Sequence, residues 1–159
     1  MTTLTVIQLV AVNIFAWLLI HLVVPYVVTL LPVSRFHPEN RFYRSRTWEQ
    51  GGSAYERLFA VRRWKDSLPD GAAWFRSGFR KKSLVSANPV YIERFIRETC
   101  RGELSHWIVL LAALLFFLWN PWPIGLVMVA YGVVANLPCI VVQRYNRIRF
   151  ARLRKRTGA

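Results

Sequence analysis

Glu103 and His106 stand three residues apart in the stretch IERFIRETCRGELSHW, residues 92–107, where a basic amphipathic pattern runs into an uncharged apolar one. On a helix that spacing brings a carboxylate and an imidazole within hydrogen-bonding reach. The imidazole titrates near neutrality and can take a proton from a hydroxyl, while the carboxylate can fix its tautomer and stabilise the imidazolium. Read at helical spacing, Ile92, Ile96, Thr99, Glu103 and His106 follow one another on one face, apolar below and polar above. Ionisable groups where a chain enters lipid are costly, which makes the pair a candidate site. The alternative is a buried hydrogen bond that ties two helices together.

The elements that position this pair can be read outward from it. Asn88-Pro89 is a helix start, with Asn as N-cap and Pro at the first helical position, and the pattern runs on as one helix over residues 88–119. Its wholly apolar part, residues 107–119, spans only ~20 Å against a hydrocarbon core of ~30 Å. The membrane portion must therefore reach back toward Cys100, or the bilayer must thin, and Glu103 and His106 fall at or inside the inner boundary. The sequence NPWP at 120–123 is a tight turn with tryptophans at interface depth. Residues 124–142 return across the membrane, with a break expected at Asn136-Leu137-Pro138. The tail, residues 143–159, places Tyr145, Ile148, Phe150 and Leu153 between charges and reads as a surface helix.

Upstream, residues 4–31 carry no charge and are long enough to span. With no basic segment ahead and no small-residue cleavage signal behind, they read as a retained anchor helix, kinked at Pro25. Asn13 and His21 share a face of it and suit interhelical or interfacial hydrogen bonding. Residues 35–87 are basic and aromatic-rich. SAYERLFAVRRWKDSL, from Ser53, places Tyr55, Leu58, Phe59 and Leu68 among basic residues as one interfacial helix. Pro69-Asp70-Gly71 marks a turn, and Trp74, Phe75 and Phe79 then interleave with Arg76, Arg80, Lys81 and Lys82.

Charge distribution decides the class. The chain has 22 basic and 8 acidic residues, yet none lies in residues 1–34 or 104–143. A soluble protein intersperses charge; a membrane protein segregates it. The reading is an all-α integral membrane protein, a single membrane domain over residues 1–159 with about three transmembrane helices and amphipathic interfacial helices on the cytoplasmic side. The positive-inside rule places the central segment and the tail in the cytoplasm and the N-terminus outside, in the cell membrane. The net charge of +14 fits anionic inner-leaflet lipids better than nucleic acid. Two cysteines give no disulfide framework and no zinc spacing, so no metal is expected. Ser53 in GGSAY is not in a G-x-S-x-G elbow, and neither a G-x-G-x-x-G nor a P-loop is present.

Three blocks, WEQGGSAYERLFAVRRWKDSLPDG (residues 48–71), ETCRGELSHW (98–107) and ANLPCIVVQRYNRIRF (135–150), resemble the glycosyl-4,4'-diaponeurosporenoate acyltransferase family in order and in hydrophobic layout. That family is associated with the last step of staphyloxanthin-type carotenoid synthesis, esterification of a fatty acyl chain onto the 6-hydroxyl of the glucose of a glycosylated carotenoid. The resemblance implies membrane-embedded O-acyl transfer from acyl-CoA or acyl carrier protein, with no cofactor, to a glycosyl carotenoid or another glycolipid. In the family pattern the position of Cys100 need not be cysteine, which argues against a thiol nucleophile. The competing class is a non-catalytic scaffold or lipid-binding protein of a lipid-biosynthetic complex.

On this reading His106 is the base and Glu103 its partner. Arg97 and Arg101, one turn apart, would hold the phosphates of acyl-CoA or an acidic patch of a carrier protein, or else pair with Glu93, Glu98 or lipid phosphate. Gln143, Arg144, Tyr145, Asn146 and Arg147 form a polar cluster expected to line the site, with Arg144 or Asn146 polarising the carbonyl. Asn136 would line the same cavity or pack helices. Trp48, Glu49, Arg63, Trp64, Lys65 and Asp70, from the first block, would form a surface lid, with Trp64 and Lys65 toward the substrate; Trp64 as a membrane anchor is the alternative.

Overall fold

A computed structural model describes residues 5–68 and 88–156. Among them secondary structure is helical throughout. Helix α1 is Val6–Leu30, α2 Ser53–Phe59, α3 Val61–Trp64, α4 Pro89–Ala112 and α5 Trp122–Arg156. Three stretches, Val6–Leu30, Pro89–Leu118 and Trp122–Lys155, are long and apolar enough to cross a membrane. Large apolar side chains such as Phe15, Leu18, Leu114 and Val134 are exposed on them, as lipid-facing surface requires. The chain is an α-helical integral membrane protein. The turn expected at Pro69-Asp70-Gly71 and the aromatic and basic residues Trp74 to Lys82 lie outside the described residues.

Local chemistry sets the helix ends. Thr5 opens α1 with a capping box, its hydroxyl accepting from Gln8 N while Gln8 Oε1 accepts from Thr5 N. The helix passes through Pro25 and stops at Leu31, the residue before Pro32, where a proline disfavours helical backbone. Asn88 caps α4 by accepting from Val90 N at 2.9 Å, with Pro89 in the first turn. The end of α4 tightens into a 3₁₀ segment, Ala113–Leu118, before the Asn120-Pro121 turn.

Two expectations change. First, α5 is one helix of 35 residues, unbroken at Pro138 and continuous through the tail. In lipid a helix that accepts one missing N–H is cheaper than exposed irregular backbone, and no Gly or Pro after Pro138 stops it before Arg156. Second, the single interfacial helix expected from Ser53 is two, divided at Ala60, which adopts φ 47°. The break turns Val61 inward beside Tyr55, where both pack on Tyr145 and Ile148 of α5. Trp64 Nε1 donates to the Phe59 carbonyl at 2.7 Å, satisfying a group the break releases. Leu58 and Phe59 stay exposed.

The core has two levels. Within the membrane length, Trp17, Val109, Ala113 and Phe116 pack α1 against α4 and its 3₁₀ extension. Gly132 permits α5 to join them: a Cβ there would stand 3.1 Å from both Ala113 Cβ and Trp17 Cη2. At the charged end, Phe36, Tyr43 and Cys100 form one cluster, and Tyr55, Val61, Tyr145 and Ile148 another. The stretch after α1 thus folds back onto α4 and α5.

Candidate active site

His106 and Asn136 meet where the uncharged and charged parts of the α4–α5 pair join. His106 Nδ1 lies 3.0 Å from Asn136 Oδ1, and Asn136 Nδ2 donates to the Gly132 carbonyl at 3.0 Å. A carbonyl oxygen only accepts, so the amide nitrogen faces Gly132 and its oxygen faces the ring. Nδ1 therefore donates to that oxygen. Asn136 is 2% exposed, and the amide is held by the helix it belongs to. The expected partnership of Glu103 with His106 is not formed: among the described residues, the imidazole is oriented by an amide from α5.

Glu103 is taken up elsewhere. Its Oε1 accepts from Arg144 Nη1 at 3.0 Å and from Trp107 Nε1 at 3.4 Å, and its Oε2 from Arg147 Nη2 at 2.5 Å. Arg144 reaches on to Glu49 Oε1 at 2.9 Å, where the Tyr55 hydroxyl also donates, at 2.5 Å. The backbone N–H of Arg46 donates to Glu49 Oε2. Arg144 and Arg147 further donate to the carbonyls of Phe42, Arg44 and Tyr43. Two carboxylates and two guanidiniums thus cancel inside a buried network, with Glu49 at 0% and Glu103 at 1% exposure. Such a network holds because every charge has both a counter-charge and hydrogen bonds; removing one member costs about 3–5 kcal/mol.

The flanking groups outside the spans report the same field. Burial opposes ionisation of Glu49, but the hydrogen bonds from Arg144, Tyr55 and Arg46 N outweigh it and hold the carboxyl below its ordinary value. Burial pushes the Tyr43 hydroxyl up to about 12, with Cys100 and Glu103 adding to it. Burial, then Glu49, raises the Tyr55 hydroxyl.

The remaining expected residues divide. Arg97 binds Glu93 at 2.8 Å and the carbonyls of Ser34 and Phe36. Arg101 binds Glu98 at 3.0 Å and the carbonyls of Thr29 and Leu31, closing the end of α1. Both are engaged by the protein itself, the pairing alternative. Asn146 is buried, and Gln143 Oε1 is buried with no hydrogen-bond partner among the described residues. Trp64 packs against the Tyr55–Tyr145 cluster, and Lys65 bonds Asp66 at 2.6 Å. Sequence reasoning missed Tyr43 and Tyr55 and put Glu49 on a lid; the first block carries four acids, Glu49, Glu56, Asp66 and Asp70, and nothing in their spacing singled out Glu49. Among the described residues no group of three or more His, Cys, Asp or Glu could hold a metal ion.

Comparison with known proteins places this architecture. The family model described as glycosyl-4,4'-diaponeurosporenoate acyltransferase matches residues 39–156. A protein of that name from Staphylococcus aureus strain bovine RF122 / ET3-1 is 34% identical over 139 residues, 86% of this chain and 82% of the relative. The one from strain MRSA252 is 34% identical over 137 residues and the one from strain USA300 33% over 139, with the same coverage. No solved structure matches. The matched region holds His106, Asn136 and the whole Glu49–Arg144–Glu103–Arg147 network, and the chain belongs to the glycosyl-4,4'-diaponeurosporenoate acyltransferase family, and with it to the acyltransferases.

Proposed function

We propose that this acyltransferase moves a fatty acyl group from a thioester donor, acyl-CoA or acyl carrier protein, to a sugar hydroxyl of a lipid-linked glycoside, a glycosylated carotenoid. The observation that carries the reading is the His106–Asn136–Gly132 chain, which presents a tautomerically fixed imidazole at the junction between apolar bundle and charged end. The lipid tail of the acceptor lies along the bundle, and its sugar reaches the junction. His106 Nε2 takes the hydroxyl proton as the oxygen attacks the thioester carbonyl. The tetrahedral oxyanion collapses, the carbon–sulfur bond breaks, and the imidazolium returns the proton to the leaving thiolate. Asn136 positions the ring, as the amide does in cysteine–histidine–asparagine sites. Glu103 acts at one remove, holding Arg144 and Arg147 in a charge-balanced floor. The names of the relatives and the uncharged-to-charged layout support this reading, and the positive-inside rule supports a site at the cytoplasmic leaflet.

The test is transfer of a labelled acyl group by purified protein from acyl-CoA or acyl carrier protein to a glycosyl-carotenoid acceptor. Wild type should form the ester, His106→Ala should lose at least ~100-fold in turnover while remaining folded, and Asn136→Ala should fall between. Wild type that transfers to no glycolipid, or His106→Ala at full activity, would overturn it.

A further inference from the structure

Beyond His106 and the buried network, the charged end holds a cavity of about 470 Å³ lined by Gly51, Gly52, Glu56, Arg62, Tyr145, Arg149 and Arg152 among others. Its lining carries three arginines and one glutamate. Five arginines elsewhere are neutralised by carboxylates: Arg144 and Arg147 with Glu49 and Glu103, Arg97 and Arg154 with Glu93, Arg101 with Glu98. Here, among the described residues, Glu56 meets only Arg62, at 4.0 Å, and the cationic excess faces open space.

The guanidiniums are also held in place. Tyr145, 2% exposed, accepts from Arg62 Nε at 3.0 Å through its hydroxyl and carries Arg149 over its ring, 5.4 Å from the centroid. Arg152 lies against the backbone of Gly51, where a Cβ would stand 1.7 Å from its Nη2. Gln50, Gly51 and Gly52 all have positive φ, at 46°, 61° and 96°, so the backbone is bent into a conformation that glycine suits and that leaves room for that side chain. Fixing arginines before a ligand arrives lowers the ordering cost of binding it. Planar, always-charged guanidiniums match phosphate oxygens in geometry as well as charge.

We propose that this cavity binds a phosphate or pyrophosphate group, carried either by the nucleotide of the thioester donor or by a lipid headgroup. None of its arginines is among those that bind the buried carboxylates, so the ligand's charge would be met without dismantling the fold. The donor source rests on the thioester reading above; the cavity's chemistry does not.

Full-length protein in an uncharged maltoside detergent, titrated calorimetrically with coenzyme A, inorganic pyrophosphate and short-chain phosphatidylglycerol, tests it. Wild type should bind at least one of them, and Arg149→Gln/Arg152→Gln at least ~10-fold more weakly. Arg35→Gln, which removes an exposed charge elsewhere, should stay within about twofold of wild type. Preference for coenzyme A names the soluble donor, and preference for phosphatidylglycerol names a lipid; either supports the site. Equal weakening by Arg35→Gln, or no binding of any probe by protein that melts cooperatively, overturns it. Arg62→Gln, at an exposed side chain, supplies the same comparison if the double variant fails to fold. Because binding is read without turnover, wild type that binds coenzyme A yet transfers no acyl group would sink the acyltransfer reading and leave this site standing.

Discussion

Arg144 joins two carboxylates that are far apart in sequence, Glu49 at a separation of 95 residues and Glu103 at 41. Glu49 is held ionised by these bonds in spite of its burial, and that fixes the sign of its contribution. Its folded value lies below 4.5, so its stabilisation is complete above that pH and is lost as pH falls through the folded value. Thermal melting in detergent should therefore drop on acidification below pH 4.5, and Glu49→Gln should lower the neutral-pH melting point while flattening that acid limb. An unchanged acid limb in the variant would remove Glu49 from the account. None of this could be read from residue spacing. His106 and Glu103 were identifiable because they interrupt an apolar stripe, but their partners are chosen by packing: Asn136 is 30 residues from His106, and local helical neighbours were the only ones the spacing could offer.

At the scale of elements, α1 is fastened at both ends by polar groups. Near its start, Asn13 and Asn120 exchange side-chain hydrogen bonds at 2.9 and 2.8 Å, and Trp119 Nε1 donates to Asn13 at 2.8 Å. At its far end Arg101 holds the carbonyls of Thr29 and Leu31. Each single replacement, Asn13→Leu or Asn120→Leu, should destabilise by leaving a buried amide without its partner, and the double variant should recover part of the loss, with a coupling of about 0.6–1.7 kcal/mol. Strict additivity in unfolding measurements would mean the pair is not coupled. Helix placement was legible where local chemistry dictates it: the Asn88-Pro89 start, the Asn120-Pro121 turn and the uncharged runs. It was not legible where tertiary contacts decide. The shift from apolar to basic at Gln143 suggested a new element, yet α5 runs straight through because Tyr145 and Ile148 pack on α2 and α3. Ala60 gave no sign of breaking a helix, because its left-handed conformation is imposed by the burial of Val61 and Tyr55.

For the molecule as a whole, the segregation of charge is the ground for the proposed orientation. On the proposed topology the Asn13–Asn120 end faces outward and the arginine-rich end faces the cytoplasm. With Cys100 and Cys139 replaced, an impermeant maleimide added to intact cells should label Trp122→Cys, an exposed position, and should reach Arg35→Cys only after the membrane is opened. The reverse pattern would invert the protein and move the site to the other leaflet. The buried ion network also bears on how the molecule is made. Glu49 and Glu103 emerge from the ribosome well before Arg144 and Arg147, so for that interval a carboxylate at the mouth of α4 has neither of its guanidinium partners. Insertion of α5 completes the charge balance, and a chain halted before Arg144 displays its defect at the membrane surface, where a proteolytic system could tell it from a finished one.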